Sequence, residues 1–413
     1  MQEYNIAVVG GGPAGMMAAI SAGQLYKDVV LVEKNNSLGK KLLLTGKGRC
    51  NLTNIGGLDR FLGNYENDAE FLRDAFSVFF NEQLMAFFEN KGLKLKVERQ
   101  GRVFPQTDNA EDVLKILRSA LMENKVKIIY NSPLSGLKRE NDKFTLTLAG
   151  PIKIEARLLI LATGGASFPQ TGSTADGFRI AQGLGHRIVR LRPALVPLET
   201  KDAWVKHLQG LTLKNIRIHI LGAKKKISSE IGDLLFTHFG VSGPLILGLS
   251  AKIVDLLEKG GVKISIDLKP GLPKEKLEER LIRDLREQGN SNFQTILKGL
   301  LPNKLISVFL KLLNIAPNKK ANQITSAERI NLLRLLKDFL VTVLRSRPLS
   351  EAMVTRGGLD IRQINPRTME SRLIKGLYFC GEIIDVSGSS GGYNLQAAFS
   401  TGYLAGQAAA KSS

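Results

Sequence analysis

Tyr4-Asn5-Ile6-Ala7-Val8-Val9-Gly10-Gly11-Gly12-Pro13-Ala14-Gly15, continued by the small residues of Met16–Ala22 and by Val29-Val30-Leu31-Val32-Glu33, is the stretch that decides the fold. Ile6–Val9 is an unbroken apolar run with β-branched members, the pattern of a strand covered on both faces. Gly10–Gly15 then reads G-x-G-x-x-G. Gly10 permits a tight turn, Gly12 lets backbone approach a pyrophosphate, and Gly15 allows close helix–strand contact. Pro13 and Ala14 open the helix, whose N-terminal amides and positive dipole end point where phosphates would bind. Val29–Val32 reads as a second strand. Glu33, 23 residues past Gly10, is placed to accept hydrogen bonds from an adenosine ribose. A lone glycine motif is weak evidence; strand, helix, strand and acid in this order predict a dinucleotide-binding βαβ unit.

That unit does not separate FAD from NAD, but the far end of the chain does. Leu377-Tyr378-Phe379-Cys380-Gly381-Glu382 reads as a buried strand ending in glycine plus an acid. Gly391-Gly392-Tyr393-Asn394-Leu395-Gln396 then opens a helix expected to run to about Ala409. This pairing resembles the closing motif of two-dinucleotide-domain flavoproteins. In that class the acid holds the ribitol, and the helix N-terminus stabilises negative charge at the flavin's pyrimidine edge. Glu382 stands where that class usually has Asp and reaches one methylene further. Ala162-Thr163-Gly164-Gly165 matches the crossing strand of the same class, in the expected order between the two ends.

A narrower resemblance rests on Gly39–Asn54 (GKKLLLTGKGRCNLTN), Phe236–Pro244 (FTHFGVSGP), Glu351–Gly358 (EAMVTRGG) and Thr368–Ser371 (TMES). These stretches resemble the HI0933-like flavoproteins, the BaiN-like or aminoacetone-oxidase family, and the similarity runs essentially end to end. It implies noncovalent FAD in a discontinuous domain, with Lys40, Lys41, Arg49, Cys50 and Asn51 along the cofactor. Lys and Arg there could neutralise a pyrophosphate. Lys34, Thr45, Leu134, Thr163, Gly164, Gly381, Glu382, Gly392, Tyr393, Asn394 and Leu395 complete the expected contact set. Because members of the family act on dissimilar small molecules, the resemblance leaves the substrate open.

The expected fold is α/β: a Rossmann-like FAD-binding domain of the two-dinucleotide-binding-domain type, formed by residues 1–189 and 352–413. Into it are inserted a β-rich unit (190–268 and 341–351) and a helical subdomain (269–340). Alternating stretches such as Ile216–Ile220 and Lys263–Ile266 mark the strands, with a hairpin turn at Gly222–Lys225. Leu277, Leu281, Ile282 and Leu285, like Leu305, Val308, Phe309 and Leu312, recur at helical spacing. Capping boxes are expected at Asp108–Glu111, ahead of a helix to about Met122, and at Thr325–Glu328, ahead of Ile330–Leu340. Strands are expected at Lys125–Tyr130, Lys143–Leu148 and Leu158–Leu161. The Phe-rich segment 68–91 reads as amphipathic helical core.

A net charge of +20 is partly concentrated in residues 269–347, with 16 Lys+Arg against 7 Asp+Glu. Such an excess could attract nucleic acid, although no RNA-binding signature accompanies it and solvated helix faces explain it as well. No apolar run approaches the ~20 residues of a membrane span, and the N-terminus lacks a basic n-region, so a cytoplasmic protein is expected. Cys50 and Cys380 form no C-x-x-C and read as structural. Four scattered His and two distant Cys have no metal-ligand spacing, so no metal is expected. The catalytic candidates are His238, in a glycine-rich loop, and Tyr393. The expected function is an FAD-dependent oxidoreductase passing hydride through flavin N5 to or from a small organic molecule. NAD(P)H, as a transient co-substrate, or oxygen would be the electron partner. An RNA-modifying flavoprotein and a non-catalytic FAD-binding sensor are the rivals, and oligomeric state is not legible.

Overall fold

The computed structural model describes residues 2–25, 28–65, 69–140, 142–150, 152–222 and 225–412. The chain divides into two compact units, Met1–Ala194 with Ala352–Ser413, and Leu195–Glu351. In the first, parallel strands lie in the order Lys127–Ile129, Val29–Val32, Gln2–Val9 and Lys153–Leu161. Leu377–Phe379 adds in parallel beside Leu159–Leu161, so one strand has both ends of the chain as neighbours. The antiparallel hairpin Leu134–Glu140 and Lys143–Leu148 extends the N-terminal half of Lys153–Leu161.

Parallel strands need cover on both faces, and Ile6–Val9, Val29–Val32 and Leu159–Leu161 are buried at every position. Helices Pro13–Leu25 and Tyr393–Ser412 pack against each other as part of that cover. Small residues set their separation: a Cβ on Gly402 would lie 2.3 Å from the Ala14 carbonyl oxygen.

Several local expectations shift. The Phe-rich segment is helical in pieces, Ala69–Leu72, Arg73–Val78 and Asn81–Glu89, broken where Phe79 and Phe80 are extended; Asp68 lies outside the described residues. Its aromatics are core, with Phe61 edge-on to Phe76 and Phe80. The N-cap expected at Asp108 is Asn109, whose side chain accepts from the Glu111 N–H at 3.0 Å, and the helix is Ala110–Glu123. Asp108 is engaged elsewhere, by Lys96 and Arg49. Ile188–Ala194 pairs with Val354–Leu359, which carries residues 190–194 into the first unit.

In the second unit every pairing is antiparallel, in the order Lys225–Ser228, Thr212–Gly222, Gly232–Phe236, Gly240–Ser242, Leu198–Thr200, Phe339–Ser346 and Val262–Asp267. Val262–Asp267 pairs again with Thr212–Gly222, so six strands close into a ring. The strands flanking Gly222–Lys225 form the expected hairpin; Ala223 and Lys224 lie outside the described residues. Ile218, Ile220, Ile264, Ile266 and Val341 are fully buried in one core with Leu277, Leu281, Leu305 and Phe309 of the helices. Strands and helices thus share a core that the sequence pattern divides in two. The Thr325–Glu328 capping box is formed, but its helix, Ser326–Lys337, stops short of Leu340 because Phe339–Ser346 is a strand.

Candidate functional site

The glycine turn leaves Gln2–Val9 at the carboxyl end of the parallel strands, where open α/β sheets bind ligands. A cavity there is walled by Gly10–Ala14, Glu33–Asn35, Lys40, Lys41 and Thr45, with Ser132–Leu134, Thr163 and Gly164. From the C-terminal end come Gly381, Glu382, Asn394 and Leu395. Two glycines of the turn do different work. Gly10 has φ +108°, and a Cβ on it would lie 2.4 Å from the Ala162 carbonyl oxygen, so the turn itself requires glycine. A Cβ on Gly12 would meet nothing within 4 Å, because that side of the turn opens on the cavity.

Glu33 is buried and organises the turn. One carboxylate oxygen accepts from the Gly11 N–H at 2.7 Å; the other accepts from the backbone and side-chain N–H groups of Asn35, both at 2.7 Å. Asn35 in turn accepts from Lys40 Nζ at 3.2 Å. Lys34 donates to Thr174 and to Asp176, each at 2.6 Å. Burial alone would raise the Asp176 pKa, but hydrogen bonds from Lys34, Thr174 and Arg179 hold it below the usual carboxylate value.

Glu382 is the densest node. Its Oε2 accepts from Lys41 Nζ at 2.6 Å, and its Oε1 accepts from the Thr355 N–H at 2.8 Å and Ser167 Oγ at 3.2 Å. Lys41 also donates to Ser167 Oγ at 2.7 Å. Thr355 Oγ1 accepts from the N–H groups of Ala166 and Ser167 at 2.8 and 3.1 Å. Four segments remote in sequence therefore meet at one carboxylate. Gly381 N–H, next to it, donates to Thr401 Oγ1 of the C-terminal helix at 3.0 Å.

Thr163 lines the cavity, but its Oγ1 is buried without a hydrogen-bond partner against Gly177, where a Cβ would lie 1.8 Å from it. An opened glycine turn and two lysine amines suit a ligand with anionic phosphates, as FAD has.

Other expected contacts are not cavity walls. Gly15 packs behind the turn, where a Cβ would collide with the Gly10 carbonyl. Arg49 binds Glu98 at 2.8 Å and Asp108 at 3.3 Å and stacks over Phe104. Cys50 is fully buried, and burial pushes its thiol up to about 12; the equally buried Cys380 thiol is pushed up as well. The Asn51 carboxamide, oriented to suit its neighbours, donates to the Thr53 and Val103 carbonyls and accepts from the Gly392 N–H at 2.9 Å. Tyr393 is buried with its ring edge-on to Phe61, and its carbonyl accepts from the Tyr65 hydroxyl at 2.7 Å. His238 is in the second unit, exposed between Gly232–Phe236 and Gly240–Ser242 with its ring edge-on to Phe239. Sequence reasoning misses Ser132, Thr171–Ser173, Asp176 and Thr401, which carry no local motif, and Thr355, which lies in the EAMVTRGG stretch without being marked as a site residue. The one available lead is the polar run that continues Thr163-Gly164-Gly165 toward Asp176.

A family model for the HI0933-like protein Rossmann domain matches residues 4–408. The chain is 34% identical to a 3-dehydro-bile acid delta(4,6)-reductase of Clostridium scindens, over 98% of this chain and 99% of that protein. It is 30% identical to a ribosomal RNA dihydrouridine synthase of Escherichia coli, over 100% of both. A crystal structure of 3-ketosteroid delta1-dehydrogenase from Sterolibacterium denitrificans shares the fold, with a TM-score of 0.52 at 14% identity, covering 100% of both chains. Among the described residues no helix is long and apolar enough to cross a membrane. With the family model spanning both ends and the insertion between them, the chain belongs to the HI0933-like family.

Proposed function

We propose that the chain is an FAD-dependent oxidoreductase that reduces a carbon–carbon double bond conjugated to a carbonyl. The observation that carries this reading is the convergence of Gly381–Leu395 on the cavity opened by the N-terminal glycine turn, with Glu382 fixed by Lys41, Ser167 and Thr355. When bound, FAD supplies hydride chemistry at N5 of its ring system. The chain's own residues bind and orient. Gly12 and the first turn of Pro13–Leu25 receive the phosphates, Lys40 and Lys41 balance their charge, and Glu33 receives the adenosine ribose while Gly11 holds it in place. Glu382 faces the polyol, and the N-terminus of Tyr393–Ser412 favours negative charge on the ring edge nearest it.

The choice of reduction is supported by the names of two full-length relatives. A delta(4,6)-reductase of a 3-dehydro bile acid and a dihydrouridine synthase both describe adding two hydrogens across a double bond conjugated to a carbonyl. NADPH or NADH serves as reductant in this reading, oxygen as adventitious oxidant. Anaerobic mixing of the FAD-loaded protein with NADH or NADPH is expected to bleach the flavin, and a steroid dienone or a uridine-containing RNA to restore its colour. Failure of every reductant would leave an FAD-binding module without turnover.

A second reading of the substrate, uracil carried on RNA, is favoured by charge. Residues 195–351 hold 26 Lys+Arg against 15 Asp+Glu.

A further inference from the structure

Strand register in the second unit sorts that charge onto one surface. On Thr212–Gly222, Ile218 and Ile220 enter the core, and Arg217, His219 and Leu221 point to the other side. Antiparallel partners directly opposite each other share a side. Leu221 therefore lies between Lys226 of one neighbour and Lys263 of the other, and His219 between Ser228 and Ser265. The next strand continues the side with Thr342, opposite Lys263. Lys226 and Lys263 are exposed and stand two strand spacings apart, about 10 Å. Arg217, further along the central strand, lies directly opposite Asp267, so the cations there are interrupted by an acid.

Of the carboxylates near this face Asp267 is paired with a cation, while Asp338 and Asp202 are held by neutral donors. Asp267 accepts from Lys337 at 2.6 Å, Asp338 from Ser265 Oγ, and Asp202 from the Thr342 N–H at 2.6 Å. Arg217, Lys226 and Lys263 have no ion pair among the described residues. Burial, with Lys226 and Arg217 alongside and Asp267 and Asp338 acting against them, lowers the pKa of His219, whose Nδ1 lies 2.8 Å from Ser228 Oγ.

We infer that this sheet face, centred on Arg217, Lys226 and Lys263, is a docking surface for the phosphate backbone of RNA. The inference rests on the RNA reading of the substrate given above. Three unpaired cations on adjacent strands match a regular polyanion, and the rows Arg217–Leu221, Lys226–Ser228 and Lys263–Asp267 contain no aromatic side chain on which a base could stack. Contact is therefore with phosphates, independent of base sequence and steeply sensitive to salt. The same side also carries the exposed Leu340 and Leu344 beside the half-exposed Leu221, so an anionic membrane is the rival occupant that the vesicle arm of the test separates from RNA.

The test is a fluorescence-anisotropy titration of a labelled RNA hairpin with the full-length protein across a salt series. R217A/K226A/K263A is expected to weaken binding at least tenfold and to flatten the log–log salt slope by about 2 to 3. K274A/K298A/K311A removes the same charge from exposed positions on the unit's helices and is expected to change affinity less than threefold. Both variants should melt within a few degrees of the parent, which separates docking from folding. Wild-type protein that fails to bind the hairpin at low salt, or equal losses in the two variants, overturns the proposal. So does a triple variant that loses only its adsorption to phosphatidylserine vesicles, which would make the face a membrane surface. A protein that binds the hairpin but takes up no FAD would instead sink the oxidoreductase reading and leave this surface intact.

Discussion

In the sheet of the first unit, consecutive residues are buried: Val29, Val30, Leu31 and Val32 all lie in the core. In the ring of the second unit burial alternates along Ile216–Ile220, and on Val262–Asp267 Ile264 is enclosed while its neighbour Lys263 is exposed, although Ser265 and Asp267 further along are buried. A strand covered on both faces has no side chain to spare for a ligand, and its chemistry moves to the loops at its carboxyl end, where Gly10–Ala14, Thr163 and Glu382 gather. A strand covered on one face keeps every second side chain for another use, and the second unit places Arg217, Lys226 and Lys263 among those positions.

The largest effects test that contrast directly. Val30→Ala and Leu31→Ala, adjacent in the first sheet, are both expected to cost about 2–4 kcal/mol, since each leaves a cavity. In the ring, Ile264→Ala should cost about 2–5 kcal/mol, while Lys263→Ala stays within about 0.5 kcal/mol. Chemical denaturation of the four variants measures this, and a costly Lys263→Ala would break the comparison. Next in size come the glycines. Gly10→Ala forces a Cβ against the Ala162 carbonyl at positive φ, and should cost about 3 kcal/mol or more together with cofactor binding. Gly12→Glu places a carboxylate in open space where phosphate is expected. It should leave the melting temperature nearly unchanged and lower FAD affinity about 100-fold or more, the equivalent of about 2.7 kcal/mol, read by flavin-fluorescence titration.

The same contrast explains what the sequence discloses. The first unit's strands announce themselves as apolar runs closed by glycines, and the glycine and acid motifs place Gly12, Glu33, Lys41 and Glu382 at one cavity although Gly12 and Glu382 are 370 residues apart. What stays hidden depends on tertiary pairing. Thr355 reaches Glu382 through its backbone N–H, which any residue could provide. Arg49 looks like a phosphate ligand in the motif GKGRCN, but Glu98 and Asp108, remote in sequence, occupy its guanidinium. Closure of the ring rests on the pairing of Thr212–Gly222 with Val262–Asp267, which no local pattern encodes. The cations of Arg217, Lys226 and Lys263 are plain in the sequence, but only register puts them on one side.

Smaller effects separate the site's scaffold from its ligand contacts. Glu382→Gln keeps the shape but removes the charge that Lys41 faces at 2.6 Å, and is expected to cost about 1–3 kcal/mol across stability and FAD affinity combined. Lys41→Met should cost a similar amount, and the double variant less than the sum of the two; strict additivity would mean that the pair is not a unit. At the thiols, burial of Cys50 and Cys380 should leave both unreactive toward a disulfide reagent at pH 8 until the protein is unfolded.

The smallest effect compares one ion-paired carboxylate from each unit. Asp176 and Glu199 are both held below their ordinary pKa values, Asp176 by Lys34, Thr174 and Arg179 acting against burial, and Glu199 chiefly by Arg345 and then Arg347. A carboxyl whose pKa is lower in the folded state binds fewer protons there than in the unfolded chain. Its contribution is therefore complete above the unfolded value, near 4 for Asp and Glu, and is lost as pH falls through the folded value. Each pair is partly solvated and should contribute no more than about 1 kcal/mol. Asp176→Asn and Glu199→Gln should thus melt slightly below the parent at pH 6 and converge with it near pH 3. Only Asp176 belongs to the cavity wall, so only Asp176→Asn should also weaken FAD binding, by severalfold at pH 6. Equal losses of FAD affinity in both variants would mean that the cofactor responds to the second unit's ion pairs as much as to its own cavity wall.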